Sequence, residues 1–138
     1  MAKEIILHGH KVAKGKASGE AIVSEEPLEF RGRVNPVTGK IQDLGSKLDG
    51  ASLTGKIMVY PYGKGSTQSA WVQYDMLCRK TNMNGIINIS STGIDASGAI
   101  FIGIPMMDKF DKNPVELIET GDWVEMDADQ GTVKITKK

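Results

Sequence analysis

Apolar and polar positions fall into distinct blocks along the chain. Glu4 to Leu7 is a short apolar run, and Gly15 to Ser24 (GKASGEAIVS) alternates small or apolar with polar residues; both predict strands. Glu26 to Gly55 breaks the pattern. It is rich in Gly, Pro, Asn and Asp with little periodicity, and predicts turns and short strands. A loop that long inside a small domain is usually functional or packs against something outside it. Lys56 to Pro61 (KIMVYP) predicts a buried strand closed by proline.

The next block changes period. Trp71, Val72, Tyr74, Met76, Leu77 and Cys78 are spaced for an amphipathic helix. Ser66 or Thr67 suits its N-cap, Arg79 and Lys80 its last turn, and Asn84-Gly85 its end. Gly85 to Ser90 (GIINIS) predicts a third buried strand, STGIDASG a second small-residue loop, and Ala99 to Met107 (AIFIGIPMM) a fourth strand. Asn113 then predicts an N-cap, with Pro114 at the first helical position, Glu116 in the first turn and Gly121 as the stop. The closing DWVEMDADQGTVKI alternates on both sides of DADQG and predicts a β-hairpin. Two helices among strands in the C-terminal half, after a mostly β N-terminal half, predict a mixed α/β domain. Within it the Trp71 helix crosses over a parallel strand pair.

Composition narrows the function classes. The 138 residues suit one domain, 1–138, with 40% hydrophobic and 25% charged residues, both ordinary for a globular chain. The formal net charge is zero, which argues against nucleic acid and anionic membranes as partners. No apolar run approaches the roughly 20 residues of a membrane span. The start, MAKEIILHGHK, lacks the apolar region of a signal peptide, so a cytoplasmic location is expected. The single cysteine, Cys78, excludes an internal disulfide framework and a self-contained cysteine-held cluster, and is expected to be a buried small hydrophobe. His8 and His10 are expected to be exposed strand residues; no carboxylate or cysteine stands at ligand spacing from them, and no metal ligand is assigned.

Three clusters can carry chemistry. Gly63-Lys64-Gly65-Ser66-Thr67 lies after a strand and before a helix, where ligand sites in α/β folds concentrate. It is not a P-loop, because Gly65 separates the lysine from the serine. Its glycines let backbone amides approach an anion, and the helix start adds partial positive charge. Ser66 there acts as a base only if Lys64 or amide donors activate it. The bland alternative is a turn with a serine cap. The second cluster, Ser90-Ser91-Thr92-Gly93, follows a buried strand; a parallel arrangement sets its mouth beside that of Ser66, the alternative being a solvated turn. The third is Arg31 and Arg33, flanking Gly32. They either fork onto a carboxylate or phosphate or stay solvated.

Taken together, GEAIVSEEPLEFRGRVNPVTGKI, GKIMVYPYGKGSTQSAW and GAIFIGIPMMDKFDKNPVELIETGDWVEMDADQGTV resemble the small subunit of the aconitase X family, from about Gly9 to Ile135. The P-x-G-[KR]-G-S-[ST] turn and the GIPMMDK…GDWVEMDADQGTV end are the most specific pieces. The resemblance implies a swivelling β/β/α domain like the mobile fourth domain of aconitase, and a hydro-lyase of large and small subunits. It implies dehydration of mevalonate 5-phosphate to trans-anhydromevalonate 5-phosphate in archaeal members, and of cis-3-hydroxy-L-proline in bacterial relatives. It implies an iron–sulfur or iron site, expected as a 4Fe-4S cluster, held by large-subunit cysteines, with none bound by this chain alone. It also makes Ser66 the proton acceptor. Lys64 is then assigned to catalysis with it; Gly65, Thr67, Ser90, Ser91, Arg31 and Arg33 are assigned to a small anionic substrate. A metal-free chain carrying a base is half a site at most. Glu26 to Gly55 is therefore the expected partner interface.

The chain departs from the family pattern in three places. Val34-Asn35-Pro36 replaces a GVDP motif, Gln68-Ser69-Ala70 replaces a Gly-Ser continuation, and Ser90 to Gly93 replaces a roughly ETEP segment. The last removes acidic charge beside the expected site. Rival readings are a dehydratase for another small hydroxy acid, a non-catalytic swivelling subunit, and a phosphohistidine carrier domain. The carrier needs a histidine where this chain has Ser66.

Overall fold

The computed structural model describes residues 3–64 and 67–138. An eight-stranded sheet runs in the order β1 (Glu4–His8), β10 (Thr132–Thr136), β9 (Trp123–Asp127), β3 (Lys16–Val23), β6 (Ile57–Tyr60), β7 (Gly85–Asn88), β8 (Met106–Asp108) and β2 (His10–Ala13). The long strand β3 joins two kinds of pairing. Lys16 to Glu20 pair antiparallel with β9, whereas Ala21 to Val23 pair parallel with β6. Strands β6, β7 and β8 continue in parallel. Only Gly9 separates β1 from β2, although they are the two edges of the sheet. The sheet therefore curls until its edges meet at Gly9, whose amide bonds the Gly131 carbonyl at 2.9 Å.

The curl explains why β6 and β7 are apolar without alternation. Along β6 every residue is buried, but Ile57 and Val59 face the core inside the curl, with Leu7, Val124, Met126 and Val133. Met58 and Tyr60 face the opposite core, with Phe30, Met76, Met83 and Ala99. Strands covered on both sides read as continuous apolar runs.

The crossover helix is α2 (Gln68–Arg79), which ends at Lys80 in the left-handed conformation (φ 60°), short of Asn84-Gly85. Its buried residues are Ser69, Gln73 and Met76, spaced four and three apart. Trp71 is 68% exposed, so of the apolar stripe in the sequence only Met76 is buried, with Val72 packed at the core's edge. Cys78 is exposed as well, which corrects the expectation of a buried thiol. Beside Met76 the buried face carries the small Ser69 and the flexible Gln73 because α2 packs closely on a second helix. A Cβ on Gly98 of that helix would come within 2.7 Å of the Gln73 side-chain carboxamide carbon.

That second helix, α3 (Gly93–Ile102), is the other correction. STGIDASG is not a loop, and Ala99 to Ile102 is helix rather than strand; the fourth strand is confined to β8. Parallel β7 and β8 require a crossover, and a helix supplies it. The Thr92 hydroxyl caps α3 by accepting from the Asp95 amide at 3.4 Å, and Gly103 (φ 80°) terminates it. The short helix α4 (Pro114–Leu117) is capped as expected: Asn113 Oδ1 accepts from the Val115 amide at 3.0 Å, with Pro114 at its start. It stops at Leu117 rather than at Gly121. The closing hairpin pairs Trp123 with Thr136 and Asp127 with Thr132, as its alternation predicts.

Glu26 to Gly55 carries the turn α1 (Phe30–Arg33) and the two-residue strands β4 (Val34–Asn35) and β5 (Lys40–Ile41). Arg31 is extended and Gly32 left-handed (φ 81°), so α1 is a tight turn rather than a regular helix. Leu28, Phe30, Val34, Ile41 and Leu53 anchor the segment in the core.

Candidate functional site

The site lies at the carboxyl ends of β6 and β7. After Tyr60 the chain runs beside Leu28: Leu28 N donates to Tyr62 O at 3.2 Å, Lys64 N donates to Leu28 O at 3.0 Å, and Gly63 bridges Leu28 in parallel. This short ladder delivers Lys64 to the mouth of the sheet. Gly65 and Ser66, the expected centre of the chemistry, lie outside the described residues. The chain is described again at Thr67, at the N-cap position of α2, in helical conformation (φ −54°, ψ −20°) and without a side-chain cap. The start of α2 thus faces the same mouth, bringing the partial positive charge of a helix N-terminus.

The second cluster adjoins the first. The Ile89 and Ser90 amides donate to the Pro61 carbonyl at 2.9 and 3.1 Å, and Thr92 lines a small cavity of about 50 Å³ with Gly63, Lys64, Ile94 and Asp95. Ser90 is exposed. Ser91 is engaged by the protein itself: its hydroxyl donates to Asp108 Oδ2 at 2.7 Å and its amide to the same oxygen at 3.0 Å. His10 Nδ1 stands 3.1 Å from Asp108 Oδ1. Burial alone would raise the Asp108 carboxyl, but the two Ser91 bonds and the His10 ring hold it below the usual carboxylate range. Both histidines are exposed strand residues, as expected.

The arginines diverge. Both are exposed, but Arg33 is drawn to Asp43, its Nη1 standing 3.1 Å from Oδ1. Arg33 and Lys64 nevertheless line one cleft of about 190 Å³, together with Glu26, Glu29 and Asp43. The cleft thus holds two cations and three carboxylates, with Arg33 already paired to Asp43.

The groups beneath the turn escaped the sequence reading. Tyr60, fully buried, donates its phenol to Asp95 Oδ2 at 2.5 Å, and Asp95 is 2% exposed. Burial drives the Asp95 carboxyl above its ordinary range, and the Tyr60 hydrogen bond opposes part of that rise. Burial and then the adjacent carboxylate raise the Tyr60 phenol. Asn88 Nδ2 donates to the Tyr60 carbonyl at 3.0 Å. A Thr92-x-x-Asp95 spacing marks a helix start, and was the one signal available for Asp95.

The residues present do not fit an iron–sulfur cluster. Such clusters are held by several thiolates; the sequence has one cysteine, and it lies exposed on α2. Among the described residues no group of three or more His, Cys, Asp and Glu is gathered as a ligand set. No described helix is long and apolar enough to cross a membrane.

Comparison with known proteins agrees with this architecture. The family model of the aconitase X swivel domain matches residues 6–135. The chain is 45% identical to the phosphomevalonate dehydratase small subunit of Methanocaldococcus jannaschii, over 96% of this chain and 98% of that one. It is 38% identical to the protein of the same name from Methanocella arvoryzae, over 94% and 98% of the two chains. The crystal structure of Thermococcus kodakaraensis aconitase X in its holo-form superimposes with a TM-score of 0.89 at 44% identity, covering 95% of this chain and 98% of that chain. With a sheet that switches from antiparallel to parallel at β3, and helices α2 and α3 flanking the mouth, the chain belongs to the aconitase X family as its swivel domain.

Proposed function

We propose that this chain is the small subunit of a two-subunit hydro-lyase that dehydrates mevalonate 5-phosphate to trans-anhydromevalonate 5-phosphate. The observation that carries the reading is its likeness, over nearly the full length of both chains, to proteins named phosphomevalonate dehydratase small subunit. The chemistry of the mouth fits. Dehydration needs a base at the carbon next to the one losing hydroxide. Ser66 is assigned that role, in a turn that enters a helix N-terminus and carries Lys64. A serine alkoxide is costly in water. Lys64 and the amides of Gly65 and Thr67 lower that cost by placing positive charge and donors where the charge develops. Ser90, Arg31 and Arg33 are assigned to the substrate's anionic groups, and Ser91 to the wall that Asp108 holds in place.

The hydroxide-removing half of the reaction is assigned to the large subunit. An iron–sulfur centre held there supplies a Lewis acid that one cysteine cannot assemble here. The Glu26 to Gly55 segment, which borders the cleft at Arg33 and Lys64, is the proposed contact with that subunit. Under this reading the complex works in the cytoplasm, and the small subunit alone is inactive.

The test is reconstitution with the large subunit, with mevalonate 5-phosphate and cis-3-hydroxy-L-proline offered in parallel. Turnover of the phosphate ester, lost by at least about a thousand-fold in Ser66→Ala, is expected from the non-additive weight of a catalytic base. Turnover of hydroxyproline alone, or near-normal dehydration by Ser66→Ala, overturns the reading.

A further inference from the structure

Gly63 is clamped from two sides. On one, the Leu28 backbone holds it through the ladder into Lys64. On the other, the Asp95 carboxyl group packs so closely that a Cβ at position 63 would come within 2.6 Å of the carboxyl carbon. Real side-chain carbons do not approach at that distance, so the carboxyl group occupies the space any other residue would need. Asp95 is itself fixed three ways: Tyr60 donates to it from β6, its amide donates to the Thr92 hydroxyl, and it belongs to the first turn of α3. The Tyr60 end is tied to β7 by Asn88.

We propose that Asp95, held by Tyr60, is a positioning residue for the proton-abstracting turn: its carboxyl group is the wall that sets where the chain leaves β6 on its way to Ser66. The inference rests on the reading of Ser66 as the base. A buried carboxyl group is a poor choice for filler, since an apolar side chain avoids its desolvation. What it offers instead is direction. A short charge-assisted bond to a phenol fixes its orientation more tightly than packing does, and small misplacements of a reacting group are costly. Displacement by about 1 Å costs on the order of a hundred-fold in rate. The pair therefore acts on kcat through geometry, and since neither Tyr60 nor Asp95 lines the cleft at Arg33 and Lys64, substrate affinity is left alone.

The experiment uses the assembled two-subunit enzyme with mevalonate 5-phosphate. Asp95→Asn keeps the volume but weakens the acceptor, and Tyr60→Phe keeps the ring but removes the donor. The expected result is a fall in kcat of roughly ten- to a hundred-fold for Asp95→Asn and about ten-fold for Tyr60→Phe, with KM within about two-fold and assembly intact by size-exclusion. Adding Asp95→Asn to Ser66→Ala causes no further loss. If Ser66→Ala is inactive while Asp95→Asn and Tyr60→Phe keep a normal kcat, the positioning role is overturned even where both melt earlier. If Asp95→Asn fails to assemble, Tyr60→Phe decides by the same kcat criterion. If Ser66→Ala retains activity, the base assignment fails instead, and the two failures are distinguishable.

Discussion

Ser91 places both its hydroxyl and its backbone amide on one oxygen of Asp108, at 2.7 and 3.0 Å. The pair ties the loop after β7 to the end of β8, and so fixes the wall of the mouth that faces Gly63 and Lys64. It also makes that loop sensitive to acid. The Asp108 carboxyl is depressed in the folded chain, so its contribution is present above the ordinary aspartate value and lost as pH falls through the folded value. Asp108→Asn is expected to cost about 1–2 kcal/mol at neutral pH. The gap between variant and parent should close below roughly pH 4. Urea titrations across pH 3 to 7 measure it; a gap independent of pH contradicts the clamp.

Gln73 is fully buried in the α2–α3 contact, and neither its carbonyl oxygen nor its amide nitrogen has a hydrogen-bond partner. An unpaired buried amide costs more than an apolar group of the same shape. Gln73→Met should leave stability unchanged or raise it by about 1 kcal/mol, whereas Gly98→Ala, which drives a methyl into that amide, should lower it by about 1–3 kcal/mol. Thermal denaturation of both variants is the check. A clear loss in Gln73→Met would mean the amide is paired.

At the C-terminus, Lys137 Nζ bonds Asp122 Oδ2, the Leu117 carbonyl at 2.9 Å and Glu119 Oε1 at 3.1 Å, while the Asp122 side chain is fully buried. Burial opposes both charges. Even so, Lys137 and two backbone amides hold Asp122 below its ordinary range, and Asp122 and Glu119 raise Lys137. The signs give a window. The Asp122 contribution fails as pH falls through its depressed value. That of Lys137 fails as pH rises through its raised value, above roughly 10.4. Lys137→Met should cost about 2 kcal/mol between these limits. Denaturant midpoints at pH 7 and near pH 11 test it, the difference shrinking at the higher pH.

Cys78 is exposed on α2 beside Tyr74, whose phenol is raised first by a hydrogen bond to that thiol. The native chain should react with one equivalent of a disulfide reagent without denaturant, Cys78 forming the mixed disulfide and the reagent's thiolate leaving. A thiol that reacts only after unfolding would restore the buried reading drawn from the sequence.

Where sequence reasoning succeeded, local chemistry and tertiary demand agreed. Asn113-Pro114 caps α4 because the cap and its first residue are local devices. The closing hairpin forms because one of its faces is buried, which enforces the alternation. It failed where burial was decided across the chain. Ala99 to Ile102 is apolar enough for a strand but is helix, since β7 and β8 lie parallel and need a crossover. Trp71 and Cys78 lie outside while Ser69 and Gln73 lie inside, because the closeness of α3 at Gly98 selects the small and flexible face of α2.

The same division holds at the site. The sequence by itself determined where a site is to be sought, in the glycine-rich stretch bearing Lys64 and Ser66 between a buried strand and a helix, and that a single cysteine cannot hold a cluster. These depend on residue identity and near neighbours. Only the tertiary structure decided that Ser90 joins Pro61, that Arg33 is drawn to Asp43, and that Asp95 and Tyr60, 35 residues apart, meet under Gly63. The physical reason is that contacts between separate segments are made by strand order and helix packing, and neither is written in the local pattern of any one segment.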